Sequence, residues 1–144
     1  MSDAPPFETF EEFWPYYVQE HANKTNRRLH FVGTSLALGT VAYALLRGKP
    51  MALLAAPLAG YGFAWVGHFL IEKNRPATFK YPLWSLGGDF TMFAKMLAGT
   101  MDEEVRRVME VKSKASAANA PPSPDAPATK APSAPRPSSP GRLN

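Results

Sequence analysis

Hydrophobic and polar positions fall along this chain in three regimes. From Phe10 to His21 the apolar residues Phe10, Phe13, Trp14, Tyr17 and Val18 recur at three- and four-residue spacing, which predicts a helix with one broad apolar face. Thr9, followed three positions on by Glu12, reads as the capping box that starts it. Two long apolar runs follow, Phe31 to Leu46 and Met51 to Ile71, of 16 and 21 residues. The second is long enough to cross about 30 Å of hydrocarbon at about 1.5 Å per residue. The first crosses if His30 and Arg47 lie at the interfaces and extend toward water. Beyond them, Ser85 to Met101 mixes Phe90, Met92, Phe93, Met96 and Leu97 with Asp89 and Lys95, a pattern expected to lie at an interface or pack against the two runs.

Punctuation divides these regimes. The polar stretch Asn23 to Asn26 interrupts the first helix, and Thr25 or Asn26 is placed to cap the next. Arg47-Gly48-Lys49-Pro50 is a tight connection, with Gly ending one helix and Pro opening another. Glu72-Lys73-Asn74-Arg75-Pro76 stops the second run, and Phe79, Lys80, Tyr81 and Trp84 suit a headgroup level. A last amphipathic helix is expected near Asp102 to Lys112. The expected fold class is therefore all-α: a helical integral membrane protein with a transmembrane hairpin, flanking interfacial helices anchored by Trp14 and Trp84, and a disordered C-terminal tail. Two buried helices of a soluble bundle are the alternative.

Composition sets the boundary of the tail. From Ala115 onward the chain is mostly Ala, Pro and Ser, and eight of its 15 prolines fall there. That divides it into a helical membrane domain, residues 1–114, and a disordered tail, 115–144. Residues 1–114 carry 13 Lys and Arg against 11 Asp and Glu, so the folded part is close to neutral. No basic run interleaved with aromatics points to nucleic acid. The absence of cysteine excludes disulfides and thiol catalysis. The amino end lacks the basic stretch of a cleaved signal peptide. Lys24, Arg27, Arg28, Lys73, Arg75 and Lys80 flank the open end of the hairpin, against Arg47 and Lys49 in its turn. That bias places both termini in the cytoplasm, the membrane being the inner one in a bacterium or the endoplasmic reticulum in a eukaryote.

The candidate chemistry lies in three histidines. His30 stands 17 residues before Arg47 and His68 stands 17 after Met51, so an antiparallel hairpin brings both to the same depth, with imidazoles within about 5 Å. Ala56, Gly60 and Ala64 on one run and Gly33 and Ala37 on the other let the backbones approach. His21 joins them only if the chain bends between 21 and 30, because nine helical steps of about 100° put it on the opposite face from His30. Glu72 lies one turn beyond His68, and Asn26 one turn before His30. Glu72 is a further candidate ligand and Asn26 a residue that could orient one. Three neutral imidazoles, with or without Glu72, match a site for Fe(II) or Zn(II) with open positions. Asp89 could cap a helix, pair with Lys95 or hold a polar pocket.

The blocks His21-Ala-Asn-Lys-Thr-Asn26-Arg-Arg-Leu-His30 and Val66-Gly67-His68-Phe-Leu-Ile-Glu72-Lys73-Asn-Arg75-Pro76-Ala77 resemble the two signature blocks of the 2-hydroxy fatty acid dioxygenase family, fungal phytosphingosine-catabolism type, over about residues 13–100. One short hairpin joins the blocks here, where the fungal enzyme has extra membrane segments. The resemblance implies an oxidoreductase with Fe2+ as cofactor, which uses O2 to shorten a 2-hydroxy fatty acid by one carbon. It also implies His21, His30 and His68 as metal ligands and catalytic residues. The acyl chain would lie in the lipid bilayer with its carboxylate and hydroxyl at the interface, and Lys73 or Arg75 could attract the carboxylate. Two other readings stand beside it. One is a non-catalytic membrane protein organising lipid or a partner, with structural histidines; the other is bis-histidine haem ligation, against which the resemblance argues.

Overall fold

The computed structural model describes residues 7–119, in which every regular element is helical. The order is α1 (Phe10–Glu20), α2 (Lys24–Arg47), a 3₁₀ turn (Pro50–Leu54) leading into α3 (Ala55–Val66), a wide π turn (Gly67–Glu72), a short 3₁₀ turn (Ala77–Phe79), α4 (Pro82–Leu97) and α5 (Met101–Ala118). Thr9 caps α1, its hydroxyl accepting from the Glu12 N–H at 3.3 Å. The Glu12 carboxylate reaches the N–H of Glu8 at 2.9 Å rather than that of Thr9, so the reciprocal half of the box lands one residue early. The cap of α2 is Asn23, whose side chain accepts from the Thr25 N–H at 2.8 Å, not Thr25 or Asn26 as the sequence pattern indicated. Asn23 takes the extended backbone that a cap requires, whereas Thr25 and Asn26 already lie within the helix. Gly48 ends α2 in the left-handed conformation with φ 59°.

α2 and α3 form an antiparallel hairpin in close contact. A Cβ on Gly33 would stand 2.9 Å from the Phe63 Cβ and 3.1 Å from the Gly60 carbonyl, so only glycine allows this approach. The segments Lys24–Arg47 and Pro50–Glu72, of 24 and 23 residues, are long and apolar enough to cross a membrane. Only 17% and 22% of their most apolar stretches are buried within the chain, and Leu45, Leu46, Leu58 and Leu70 face outward.

The well-packed core lies at the open end of the hairpin. Phe13, Trp14, Tyr17 and Val18 of α1 pack with Ala77, Tyr81, Met92 of α4, and Met101 and Val108 of α5. The aromatic face of α1, expected at the lipid interface, is instead enclosed by α4 and α5. Trp14 is 8% exposed and donates its indole N–H to Glu104 at 2.8 Å, so it serves as a core residue rather than an interfacial anchor. Met92 is likewise packing. At 16 residues α4 is short for a span; it lies against the hairpin, with Phe93 stacked on Phe31 at 4.8 Å. α5 continues to Ala118, past the compositional boundary at 115, because Ala and Ser continue a helix where proline would not. The remainder of the Pro-rich tail, from residue 120, lies outside the described residues.

Candidate metal centre

The three histidines converge. His21 is the C-cap residue of α1, where the helix ends and the chain turns into α2. That turn is held by Arg27, 4% exposed, which donates to the carbonyls of His21 (2.9 Å) and Ala22 (2.6 Å) and to Asp102 of α5 (2.6 Å). His68 lies in the π turn, a wide helical turn often found at functional sites. A Cβ on Gly67 would overlap the Asn26 side chain, so glycine beside His68 lets this turn close on α2. The ring centroids are 4.6 Å apart for His21 and His30, 4.6 Å for His21 and His68, and 5.1 Å for His30 and His68. All three rings are buried, at 1%, 5% and 2% exposure for His21, His30 and His68.

Hydrogen bonds determine which nitrogens face one another. His21 Nδ1 stands 2.7 Å from the Tyr17 carbonyl, which can only accept, so Nδ1 carries the proton. His30 Nδ1 donates to the Asp89 carboxylate at 3.1 Å. His68 Nδ1 stands 2.8 Å from the Asn74 amide oxygen; that amide is oriented by its NH₂, which donates to the Glu20 carbonyl (3.0 Å) and carboxylate (2.8 Å). Each imidazole thus spends its N–H outward and turns an Nε2 lone pair inward. His30 Nε2 and His68 Nε2 are 3.2 Å apart, and His21 Nε2 is buried with no partner.

Three converging lone pairs repel one another unless a cation or proton lies between them. Burial holds the His21 imidazole well below the usual histidine range, with His30 and His68 adding to the effect, so a proton is disfavoured there. Two nitrogens about 2.1 Å from one ion, subtending about 100°, stand about 3.2 Å apart, matching the His30 and His68 separation. The donor set fits a divalent borderline metal, and one donor atom from each histidine lies within 4.8 Å of the others. Outward N–H groups bonded to a carboxylate, a carbonyl and an amide are the usual support of metal-bound imidazoles.

Asp89 ties this centre to its surroundings. It accepts from His30 and from the Tyr17 hydroxyl. Burial, then the Asp89 charge, pushes the Tyr17 phenol well above its usual range, so it remains a donor. The Tyr17 ring stacks on His21 at 4.0 Å, and Gly88 lets α4 approach the same ring, since a Cβ there would fall 2.7 Å from it. Of the roles open to Asp89, holding a polar pocket is the one observed.

Other expected site residues lie elsewhere. The Glu72 carboxylate faces the start of α2, accepting from the Asn23 N–H at 2.6 Å, and is not among the donor atoms that converge with the three imidazoles. Asn26 is fully buried and its NH₂ lies 3.5 Å from Glu72 rather than on a histidine. Lys73, the left-handed residue closing the π turn, and Arg75 are both exposed. Arg75 lines a surface groove with Tyr16, Pro76 and Phe79. Pattern reading missed Arg27, Tyr17, Glu20 and Asn74. Tyr17 lies one turn before His21, a spacing that could have revealed it. Asn74 follows His68 by six residues, which no regular helical period brings together.

A cleft of about 280 Å³ leads to His30 and Asp89 from between α2, α3 and α4. Thr34 stands at its inner end, and Ala37, Gly60, Leu86 and Phe90 form apolar walls.

No curated protein and no solved structure matches the chain. The family model described as 2-hydroxy-palmitic acid dioxygenase Mpo1-like matches residues 7–101, a stretch that includes the three histidines, Asn74 and Asp89. With two thirds of its length matched, this helical chain with its buried trio of imidazoles belongs to the 2-hydroxy-palmitic acid dioxygenase Mpo1-like family.

Proposed function

We propose that the chain is a membrane-embedded, Fe(II)-dependent dioxygenase that shortens 2-hydroxy fatty acids by one carbon with O2. The observation that carries this reading is the inward convergence of three Nε2 atoms whose partner N–H groups are all engaged. Family membership supports the reaction class. The hairpin supports the membrane: core helices of a soluble protein bury most of their apolar surface, and these leave most of it exposed. His21, His30 and His68 would hold the ion, and Fe(II) bound there supplies the redox chemistry that O2 needs to react with a closed-shell acid. The chain contributes orientation and exclusion of water. Asp89 and Asn74 fix two of the rings, the Tyr17 ring covers the third, and α1, α4 and α5 close the aqueous side. Thr34 offers a hydroxyl, one turn from His30, to the polar end of a substrate in the cleft. Lys73 and Arg75, exposed at the same end, would act on an acid only at long range, as surface charge.

The test is purified protein in detergent, loaded anaerobically with Fe(II). We expect about one iron per chain, O2 uptake on adding 2-hydroxypalmitate, and an acid one carbon shorter as product. Alanine at His21, His30 or His68 is expected to lower bound iron at least about tenfold. Full iron retention in all three variants, or stoichiometric iron with no O2 uptake, would reject the proposal.

A further inference from the structure

We propose that the cleft between α2, α3 and α4 is the binding groove for the substrate's own acyl chain, and that residues at its far end set the accepted chain length. This rests on the dioxygenase reading above and adds to it where the tail goes and what measures it. His30, Thr34, Ala37 and Val41 follow one another along one face of α2, and all line the cleft. Ala56, Pro57 and Gly60 line it from α3, which runs antiparallel, so Ala56 and Pro57 stand at the Val41 end. Of the polar lining groups, His30, Asp89 and Thr34 lie at the other end and Tyr61 stands midway, which leaves the Val41 end to aliphatic groups. One end of the cleft is therefore chemistry and the other is hydrocarbon.

Length identifies the occupant. From His30 to Val41 is eleven residues, about 16 Å of helix at about 1.5 Å per residue. That is about half of the roughly 30 Å hydrocarbon layer, the depth of one leaflet and so of one long acyl tail. An acid whose carboxylate and hydroxyl sit at the imidazoles would extend its chain along this groove toward the hairpin turn, as it would in a leaflet. The width is set by small side chains. A Cβ on Gly60 would meet only the Ala37 Cβ, at 3.9 Å, so the glycine is not demanded by the contact between the helices; its missing side chain is space in the groove.

The full chain in phosphatidylcholine vesicles, with and without iron, tests this with 2-hydroxypalmitate carrying a photoactivatable diazirine. Placed near the methyl end, the label is expected on Val41, Ala56 or Pro57; placed near the carboxyl end, on Thr34, Leu86 or Phe90. Excess unlabelled 2-hydroxypalmitate should remove the labelling, and excess phospholipid should not. In the iron-loaded protein, Val41→Trp, at a half-buried position, should shift the ratio of kcat/KM for 2-hydroxypalmitate over 2-hydroxydecanoate by about tenfold toward the shorter acid. Labelling at the groove beside Arg75, labelling spread over the lipid-facing surface, or equal competition by phospholipid overturns the proposal. Labelling in the cleft without O2 uptake would remove the dioxygenase reading and keep the acyl groove. O2 uptake with labelling elsewhere would remove the groove alone.

Discussion

At the scale of single residues, the centre depends on bonds that point away from it. Each imidazole can present Nε2 inward only because its Nδ1–H has a fixed acceptor, and Asp89 is the charged one among the three. On the proposed metal-site reading, Asp89 is a positioning residue that acts through His30. Asn in its place would keep an acceptor but lose the charge that strengthens the imidazole as a ligand. Asp89→Asn is accordingly expected to weaken iron binding about 10- to 100-fold, measured by chelator competition, while thermal unfolding of the metal-free protein shifts little. Unchanged iron affinity would remove Asp89 from the support of the site.

Among elements, the contact that decides the site is the clasp of α5 onto the bend between α1 and α2. Arg27 bridges the α1 terminus to Asp102, Lys24 reaches the same carboxylate at 2.7 Å, and Trp14 meets Glu104. Hydrogen bonds from Lys24 and Arg27 hold the Asp102 carboxyl below its usual range. Burial raises that of Glu104, but bonds from Trp14, Arg107 and Lys95 outweigh it and leave the group below its usual range too. A carboxyl whose folded pKa is depressed contributes stability above its unfolded value, about 4, and loses it as pH falls through the folded value. The midpoint of thermal unfolding is thus expected to fall from about pH 5 to about pH 3, and to fall less steeply in Asp102→Asn and Glu104→Gln. Identical slopes in the variants would show that α5 is held by packing alone. Asp102 is more than half exposed, so its share is the more easily screened by salt.

For the molecule as a whole, the decisive property is topology. If the hairpin crosses twice, as proposed, the α2–α3 turn lies on one side of the membrane and α1, α4 and α5 on the other. Because the chain has no cysteine, Lys49→Cys and Glu110→Cys each introduce a single thiol at an exposed position. A membrane-impermeant maleimide is expected to label one in sealed vesicles of one orientation and the other in inverted vesicles. Labelling of both from the same side would refute the spanning hairpin.

The chain's own pattern determined the two apolar runs, the cap at Thr9, the helix end at Gly48 and the equal depth of His30 and His68. All are local or follow from counting residues along two antiparallel helices. The histidine meeting was legible for the same reason, since a tight turn converts sequence distance into depth. What only the tertiary structure decided is which side chains meet across long separations. Asp89 reaches His30 from 59 residues away, and Arg27 meets Asp102 across 75. Arg27 reads in the sequence as one more surface charge, and Glu72 as a ligand one turn from His68. A periodic pattern states which face of a helix is apolar, but not how far the helix is rotated or where it bends. Here the break at His21, the π turn at His68 and the approach of α4 at Gly88 set those rotations. They turned Glu72 to the α2 terminus and placed Asn74 and Asp89 behind the imidazoles.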